Sequence, residues 1–423
     1  MMKGAGSWLR RLAADRAPGQ LVIQVTDHCN ADCPQCGMNR RMGYPRSRLG
    51  VDDVRRVLDA AASRGVRAVS FTGGEPLLFL DDLVTLIDHA GSVGIPMIRT
   101  GTNGFLFRGW DRPEFEDRVH RLAERLSATP LRNFWISIDS SNPAVHEEIR
   151  GFPGVVKGIE KAVPIFHSHG FYPSANLGIN RRVGGESPAM TAAASEKAFF
   201  SHFKNSFDRF FRLVDRLGFT IANACYPMSM NDGDINGLAP VYGASSTSSI
   251  VNFPPNEKAL LFRALFESVQ SNRSRLRIFS PLCALRAIGR QVSSGSARGY
   301  PCRGGRDFFF VDASHGDTFP CGFRGSENLG KFWRLNGVAG NGDSSGGCLA
   351  CEWECFRDPS EMIGPILDGL HRPGTLAGRI RSDPAFFGLW VEDLRYYQAC
   401  DYFNGKVPPR RERLNRFKGA SGP

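Results

Sequence analysis

The sequence predicts an α/β protein built on a parallel sheet, either curled as a barrel or doubly wound, followed by a small cysteine-rich region. Two observations carry this. Between residues 20 and 226, β-branched and apolar runs alternate six times with longer amphipathic stretches. That is the pattern of parallel strands joined by right-handed helical crossovers. From 283 to 355 the texture changes to one rich in cysteine and glycine. In either form of the sheet, functional groups are expected at the C-terminal ends of the strands.

The strands are read in order as "QLVIQVT" (20 to 26), "AVSFTG" (68 to 73), "PMIRTGTNG" (96 to 104), "NFWISIDSS" (133 to 141), "SANLGIN" (174 to 180) and "FTIANACY" (219 to 226). Helical spacing of apolar residues marks 52 to 65, 81 to 94 and 118 to 128 between them. The segment 196 to 219 carries Phe199, Phe200, Phe203, Phe207, Phe210 and Phe211 at helical spacing. Such a stripe is read as core packing. Residues 236 to 249 are small and polar, a linker or lid, and 256 to 278 reads as one or two helices. The last twenty residues, 404 to 423, hold six basic residues against one acidic and are read as a disordered tail.

At 423 residues, with 42% apolar and 22% charged, the composition is globular and excludes a disordered chain. A net charge of +11 favours an acidic partner, whether a phosphorylated substrate, an anionic peptide or an acidic electron donor. Nucleic acid is disfavoured, being supported only by charge and the basic tail. The N-terminus lacks the apolar core of a secretory signal, and no run of 18 apolar residues occurs, so a cytoplasmic protein without a membrane span is expected. In a reducing compartment 11 cysteines point to metal or chemistry before disulfides.

Three of them, Cys29, Cys33 and Cys36, follow the first strand with spacing C-x3-C-x2-C. Structural zinc and most iron–sulfur clusters take four ligands, and no second pair lies nearby. His28 adjoins Cys29 too closely to complete a tetrahedral site. Three thiolates on a 4Fe-4S cube leave one iron open, which is the mark of a catalytic site. After the second strand comes "FTGGEP" (71 to 76), where Gly73 and Gly74 permit close backbone approach, Glu75 offers an acceptor for an ammonium group, and Pro76 stiffens the exit.

This pair of motifs resembles the radical S-adenosylmethionine (SAM) superfamily. The resemblance implies a partial (β/α)6 TIM-like barrel. It also implies a 4Fe-4S cluster whose open iron binds SAM, and reductive cleavage of SAM to a 5′-deoxyadenosyl radical that abstracts hydrogen from the substrate. "RTGTNG" (99 to 104) resembles the family's third strand end and "SIDSSNPAVHEEIRG" (137 to 151) its fourth strand and following helix, which makes Thr102, Ser137 and Asn180 candidate SAM contacts. The family usually has an aromatic residue before the third cysteine, where this chain has Gln35.

Further on, Cys302, Gly316 and Cys321 are spaced as C-x13-G-x4-C, and Cys348, Cys351 and Cys355 as C-x2-C-x3-C. The first stretch resembles the hairpin that opens the auxiliary-cluster domains called SPASM (two clusters) or twitch (one). That implies at least one auxiliary 4Fe-4S cluster, with Cys302, Cys321, Cys348 and Cys351 as its ligands and Cys355 as a rival. On spacing alone, four thiolates fit zinc equally well.

Cys225, at the sixth strand end, is a candidate hydrogen-atom or proton donor, though a free cysteine is more often a small buried apolar residue. The expected organisation is an N-terminal basic helix or arm (1 to 19), the barrel (20 to 235), linker and helices (236 to 299), the auxiliary-cluster domain (300 to 403) and the tail (404 to 423). Substrates of such enzymes are small molecules or peptides, and their electron donors are acidic proteins such as ferredoxin or flavodoxin. Only about 20 residues precede the first strand, against the ~80 of a winged-helix leader-binding domain, which weighs against a peptide substrate.

Overall fold

The computed structural model describes residues 11–40, 46–185, 191–230, 238–294, 299–335 and 348–418. Six parallel strands run in chain order: β1 (Gly19–Thr26), β2 (Val66–Gly73), β3 (Met97–Thr102), β4 (Asn133–Ser137), β5 (Ser174–Gly178) and β6 (Ile221–Cys225). Each pairs with its neighbour in parallel, as the alternating pattern requires. The helices between them are α1 (Val51–Ser63), α2 (Leu80–Ser92), α3 (Phe115–Ala128), α4 (Pro143–Arg150), α5 (Val155–Ser168) and α6 (Glu196–Arg216).

The two faces of the strands differ in character. Ile98, Phe134, Ile136, Ala175, Leu177 and Ala222 are fully buried in the apolar layer beneath the helices. Their alternates Arg99, Trp135, Asn176, Asn223 and Cys225 face the other way and keep accessible surface. The phenylalanines of α6 lie in the core as expected, with Phe199, Phe203, Phe207, Phe210 and Phe211 buried and Phe200 partly so. Ser195 caps this helix by accepting from Ala198 N at 3.2 Å.

Several features depart from expectation. β4 ends at Ser137, short of 141, because the backbone beyond it leaves the ladder: Asp139 N donates to His146 Nδ1 and Ser141 N to Val183 O. The segment 256 to 278 is one helix, α7 (Pro255–Asn272), and then a two-residue strand, β7 (Arg277–Ile278), too short to show alternation. A further helix, α8, covers Leu282–Ser294.

The expected cysteine hairpin forms. β8 (Phe308–Val311) and β9 (Thr318–Phe319) pair antiparallel, and Gly316 takes φ +68° in the turn. β8 also pairs in parallel with β1, so the sheet order is β7-β6-β5-β4-β3-β2-β1-β8-β9. The helices α9 (Glu354–His371), α10 (Pro373–Ser382) and α11 (Pro384–Ala399) follow.

The disordered tail is corrected over its described part, 404 to 418. Gly405 exchanges hydrogen bonds with Arg132 O and Tyr172 N, and Leu414 is buried beside Ile221 and Tyr396. Two apolar side chains, Leu414 and Phe417, hold the segment down despite its basic run. Residues 419 to 423 lie outside the described residues, as does the start of the expected N-terminal arm (1 to 10). The described part of the 236-to-249 segment lies across the protein and not as a free linker: Gly37 N donates to Ala244 O, Gly243 N to Gln24 Oε1 and Val241 N to Gly322 O.

Candidate active site

The loop after β1 gathers Cys29, Cys33 and Cys36. A turn closed by Cys36 N donating to Cys33 O at 3.1 Å folds the two later thiols toward each other. Asn39 Nδ2 donates to Cys29 O at 3.2 Å, and Asn103, from the end of β3, approaches Cys29 Sγ at 3.8 Å. His28 does not join them; its ring sits edge-on to Phe79 at 5.7 Å. Among the described residues no three His, Cys, Asp or Glu side chains converge as a single metal ion requires. A multi-iron cluster holds its thiolates farther apart than a single ion does, and thiols are the donors it takes. Burial pushes the Cys33 thiol up to about 12 and Cys36 up to about 11, so their thiolates need compensating positive charge.

The "GGEP" turn packs directly on this loop. Gly74 N donates to Thr26 O and Glu75 N to His28 O, both at 2.8 Å. A Cβ on Gly73 would stand 2.5 Å from Thr26 O, and one on Gly74 would stand 2.2 Å from His28 O. Both glycines are therefore required by the approach of the cysteine loop itself. Glu75 is completely buried. Its Oε1 accepts from Leu77 N at 3.0 Å and its Oε2 from Asn103 N at 2.6 Å. Burial drives its pKa up to about 7, against the pull of these two bonds. Its carboxyl thus clamps the end of β2 to the end of β3, with Pro76 opening the short helix Pro76–Phe79.

Of the other expected cofactor contacts, Thr102 Oγ1 accepts from Gly104 N at 3.1 Å and shapes its own turn. Asn180 donates from Nδ2 to Asp139 O and Gly178 O, both at 2.9 Å, and accepts from Arg182 N at 2.8 Å. Its polar atoms are engaged with backbone. Ser137 is buried at the inner end of β4, opposite Asn176 in register.

Sequence reading missed a buried network behind the thiols. Asp139 accepts from Arg150 Nε at 2.5 Å, from Gln35 Nε2 at 3.0 Å and from Gly178 N at 3.3 Å. Burial opposes the charge on Arg150, but Asp139, Cys33 and Cys36 outweigh it and hold the guanidinium above its usual range. Arg150 is the compensating cation the thiols need. A buried pair eleven residues apart across a strand–helix turn has no local periodicity that would have revealed it.

The second set of thiols divides. Cys302 N donates to Cys348 O at 2.9 Å, which brings the hairpin entrance against the later segment. Cys302, Cys321 and Cys348 sulfurs each receive a backbone N–H at 3.4 Å, from Gly304, Phe323 and Ala350. Cys321, Cys302 and Cys348 stand near enough to Cys351 to add to the upward push of burial on its thiol, so the four share one neighbourhood. Cys355 does not join them. The charged groups around it are Glu354, Arg99 and Asp358, and its Sγ lies 3.7 Å from Glu354 Oε1. Cys400 and Cys283 are buried in apolar clusters.

Cys225 lies with Cys355. Its Sγ is 3.3 Å from Asn176 Oδ1, and Glu354 and Cys355 are its charged neighbours. The inward row Arg99, Trp135, Asn176, Asn223 and Cys225 keeps accessible surface on the strand face turned away from the helices, toward the chamber of the barrel. The N-terminal end of α9 brings Glu354 and Cys355 beside Cys225, and Asp358 to Tyr226 OH at 3.1 Å. Tyr242 packs on Phe310 and Trp353 at 5.5 and 5.9 Å, with Cys355, Cys225 and Cys36 in its neighbourhood.

Residues 23–182 match the family model described as Radical SAM superfamily. A GTP 3′,8-cyclase of Mannheimia succiniciproducens is 32% identical over 153 residues, covering 34% of this chain and 41% of the cyclase. An AdoMet-dependent heme synthase of Methanosarcina barkeri is 25% identical over 171 residues, covering 40% of this chain and 45% of that protein. The chain therefore spans less than half the length of these curated relatives. The crystal structure of Streptococcus suis SuiB bound to precursor peptide SuiA resembles this fold with a TM-score of 0.50 at 15% identity, over 86% of this chain and 77% of that one. No helix among the described residues is long and apolar enough to cross a membrane. The triple-cysteine loop and the glycine turn packed on it both lie within residues 23–182, the segment that matches the radical SAM superfamily.

Proposed function

We propose that the protein uses Cys29, Cys33 and Cys36 to hold a 4Fe-4S cluster, binds SAM beside it, and abstracts hydrogen from a substrate lodged in the barrel interior. One auxiliary cluster would lie on Cys302, Cys321, Cys348 and Cys351. The observation that carries this reading is the contact of the cysteine loop with the glycine turn, Gly74 against His28. When bound, the cluster and SAM supply a carbon-centred radical.

The chain's own residues do the rest. Arg150 offsets the charge of the thiolates, and Glu75 and Asn103 lock the β2 and β3 ends against the loop. Backbone N–H groups on the sulfurs of Cys302, Cys321 and Cys348 favour the thiolate form at the second set. Cys225 and Cys355 offer S–H groups inside the chamber, and Cys225 is the proposed hydrogen or proton donor to the reacting substrate. The net charge of +11 suits an acidic one-electron donor such as a ferredoxin or flavodoxin. Within this reading, the polar row Arg99, Asn176 and Asn223 suits a polar small molecule.

The test is anaerobic reconstitution followed by iron and sulfide counting, then incubation with SAM and a strong reductant. Roughly eight irons per chain, four per cube, and formation of 5′-deoxyadenosine are expected. Failure to form 5′-deoxyadenosine with the iron in place would overturn the reading.

A further inference from the structure

The chamber holds a buried cation that lacks a counter-ion. Other deep arginines are matched: Arg273 by Asp393, Arg357 by Glu361 at 3.1 Å, and Arg181 by Glu257. Arg277, without a carboxylate, donates to the carbonyls of Asn404 and Val407. Arg99, on β3, donates from Nε to Ser70 Oγ at 3.1 Å and lies over the Phe279 ring at 5.6 Å. Among the described residues no carboxylate stands within ion-pairing distance of it. Burial lowers its pKa, which measures the cost of keeping that charge inside. Arg99 keeps accessible surface on the inner face of the barrel, and a guanidinium fork is shaped to receive two oxygens of one anion.

The opposite wall is acidic. Glu354 is 7% exposed, and its Oε2 is buried without a hydrogen-bond partner. Asp358 accepts from Tyr226 OH at 3.1 Å. Burial raises the pKa of both carboxyls, and for Asp358 the neighbouring Glu354 adds to this; neither makes an ion pair with Arg99 among the described residues.

We infer that Arg99 anchors an anionic group of the substrate, a carboxylate or a phosphate, inside the barrel, while Glu354 Oε2 meets a hydrogen-bond donor on the same molecule. Bound this way, the substrate would lie between Arg99 and the thiols of Cys225 and Cys355, with its body against Trp135 and the amides of Asn176 and Asn223. The inference rests on the proposed function in assigning the barrel interior to the substrate.

The test is titration of the anaerobically reconstituted wild type, Arg99→Gln and Arg99→Lys with inorganic phosphate and, separately, with acetate, read by thermal shift and calorimetry. A saturable stabilisation of the wild type by one of the two anions, lost in Arg99→Gln and weakened about tenfold in Arg99→Lys, is expected. The responding anion identifies the group as phosphate or carboxylate. Equal responses of wild type and Arg99→Gln, or none in either, overturn the inference. Should Arg99→Gln not fold, an Arg99→Lys protein with undiminished affinity overturns it. The 5′-deoxyadenosine assay on the wild type is scored separately, so a protein that binds the anion but does not cleave SAM refutes the proposed reaction and leaves the anchor standing.

Discussion

Gln35 donates from Nε2 to Asp139 Oδ2 at 3.0 Å, tying the residue before the third cysteine to the end of β4. Where an aromatic residue would present a ring, this chain presents a tether. Gln35→Leu removes one donor from a buried carboxylate and should lower stability by about 1–3 kcal/mol. Gln35→Glu sets a second carboxyl against Asp139 and should cost more. Chemical denaturation of both variants checks the order, and two curves superimposed on wild type would refute the tether.

Arg150 sits against the same carboxylate, with Nε 2.5 Å from Asp139 Oδ2. Arg150→Gln leaves Asp139 buried without its cation, a loss of about 3–5 kcal/mol. It also removes positive charge from the neighbourhood of Cys33 and Cys36, so iron retained at the first thiol set should fall more than iron at the second. Mössbauer or iron analysis in a background lacking Cys302 and Cys321 separates the two sites.

Two glycines should respond in opposite directions to alanine. Gly74→Ala would bring a methyl group to 2.2 Å from His28 O, a backbone atom that cannot swing aside, and should strip iron from the first set or block folding. Gly374, in the exposed helix α10, has open space around its Cβ position, and Gly374→Ala should stabilise by about 0.5–1 kcal/mol. Equal melting temperatures for the two variants would contradict the packing described.

Cysteine identity at the second set gives a direct count. Cys351→Ala should remove about four irons per chain, and Cys355→Ala none. Cys355→Ala should impair substrate turnover while leaving the cluster spectrum unchanged. Loss of iron from Cys355→Ala would return that residue to the ligand set.

The pH dependence has a defined sign. Burial depresses His146 to about 4 from 6.5, with Asp139 pulling upward and Arg150 downward. Between those values the unfolded chain takes up a proton that the folded chain does not, so the contribution of His146 to stability is lost as pH falls from 6.5 toward 4. Glu75, raised from 4.5 to about 7, acts in the opposite sense: its contribution falls as pH rises from 4.5 to 7. The two overlap, so the informative quantity is wild type minus His146→Gln. That difference should change by about 1.4 kcal/mol per pH unit across the window, and a flat difference would refute it.

The six strands were legible because each carries its own alternation, with Ile98 and Phe134 outward and Arg99 and Trp135 inward. The cysteine triad and the glycine turn were legible as local motifs. What they do to each other was less so: Glu75 reads as a ligand acceptor until Asn103 N, from another strand, is found on its carboxylate. Cys355 could not be told from Cys351 by spacing, because the start of α9 at Glu354 turns one thiol toward the hairpin and the other toward Arg99. Arg150 and Asp139 meet only through a tertiary turn, and β7 has two residues, too few for a pattern.

The pairing of β8 with β1 has a consequence for how the chain is made. As the ribosome delivers the protein from its N-terminus, β1 and β2 can join early, but the other edge of β1 stays open until Phe308–Val311 emerges. That edge carries the run Leu21, Val22 and Ile23, a segment suited to pairing with foreign strands. A truncation after β6 would keep all six expected strands and still aggregate, since the strand that seals the barrel's first edge comes from the cysteine hairpin.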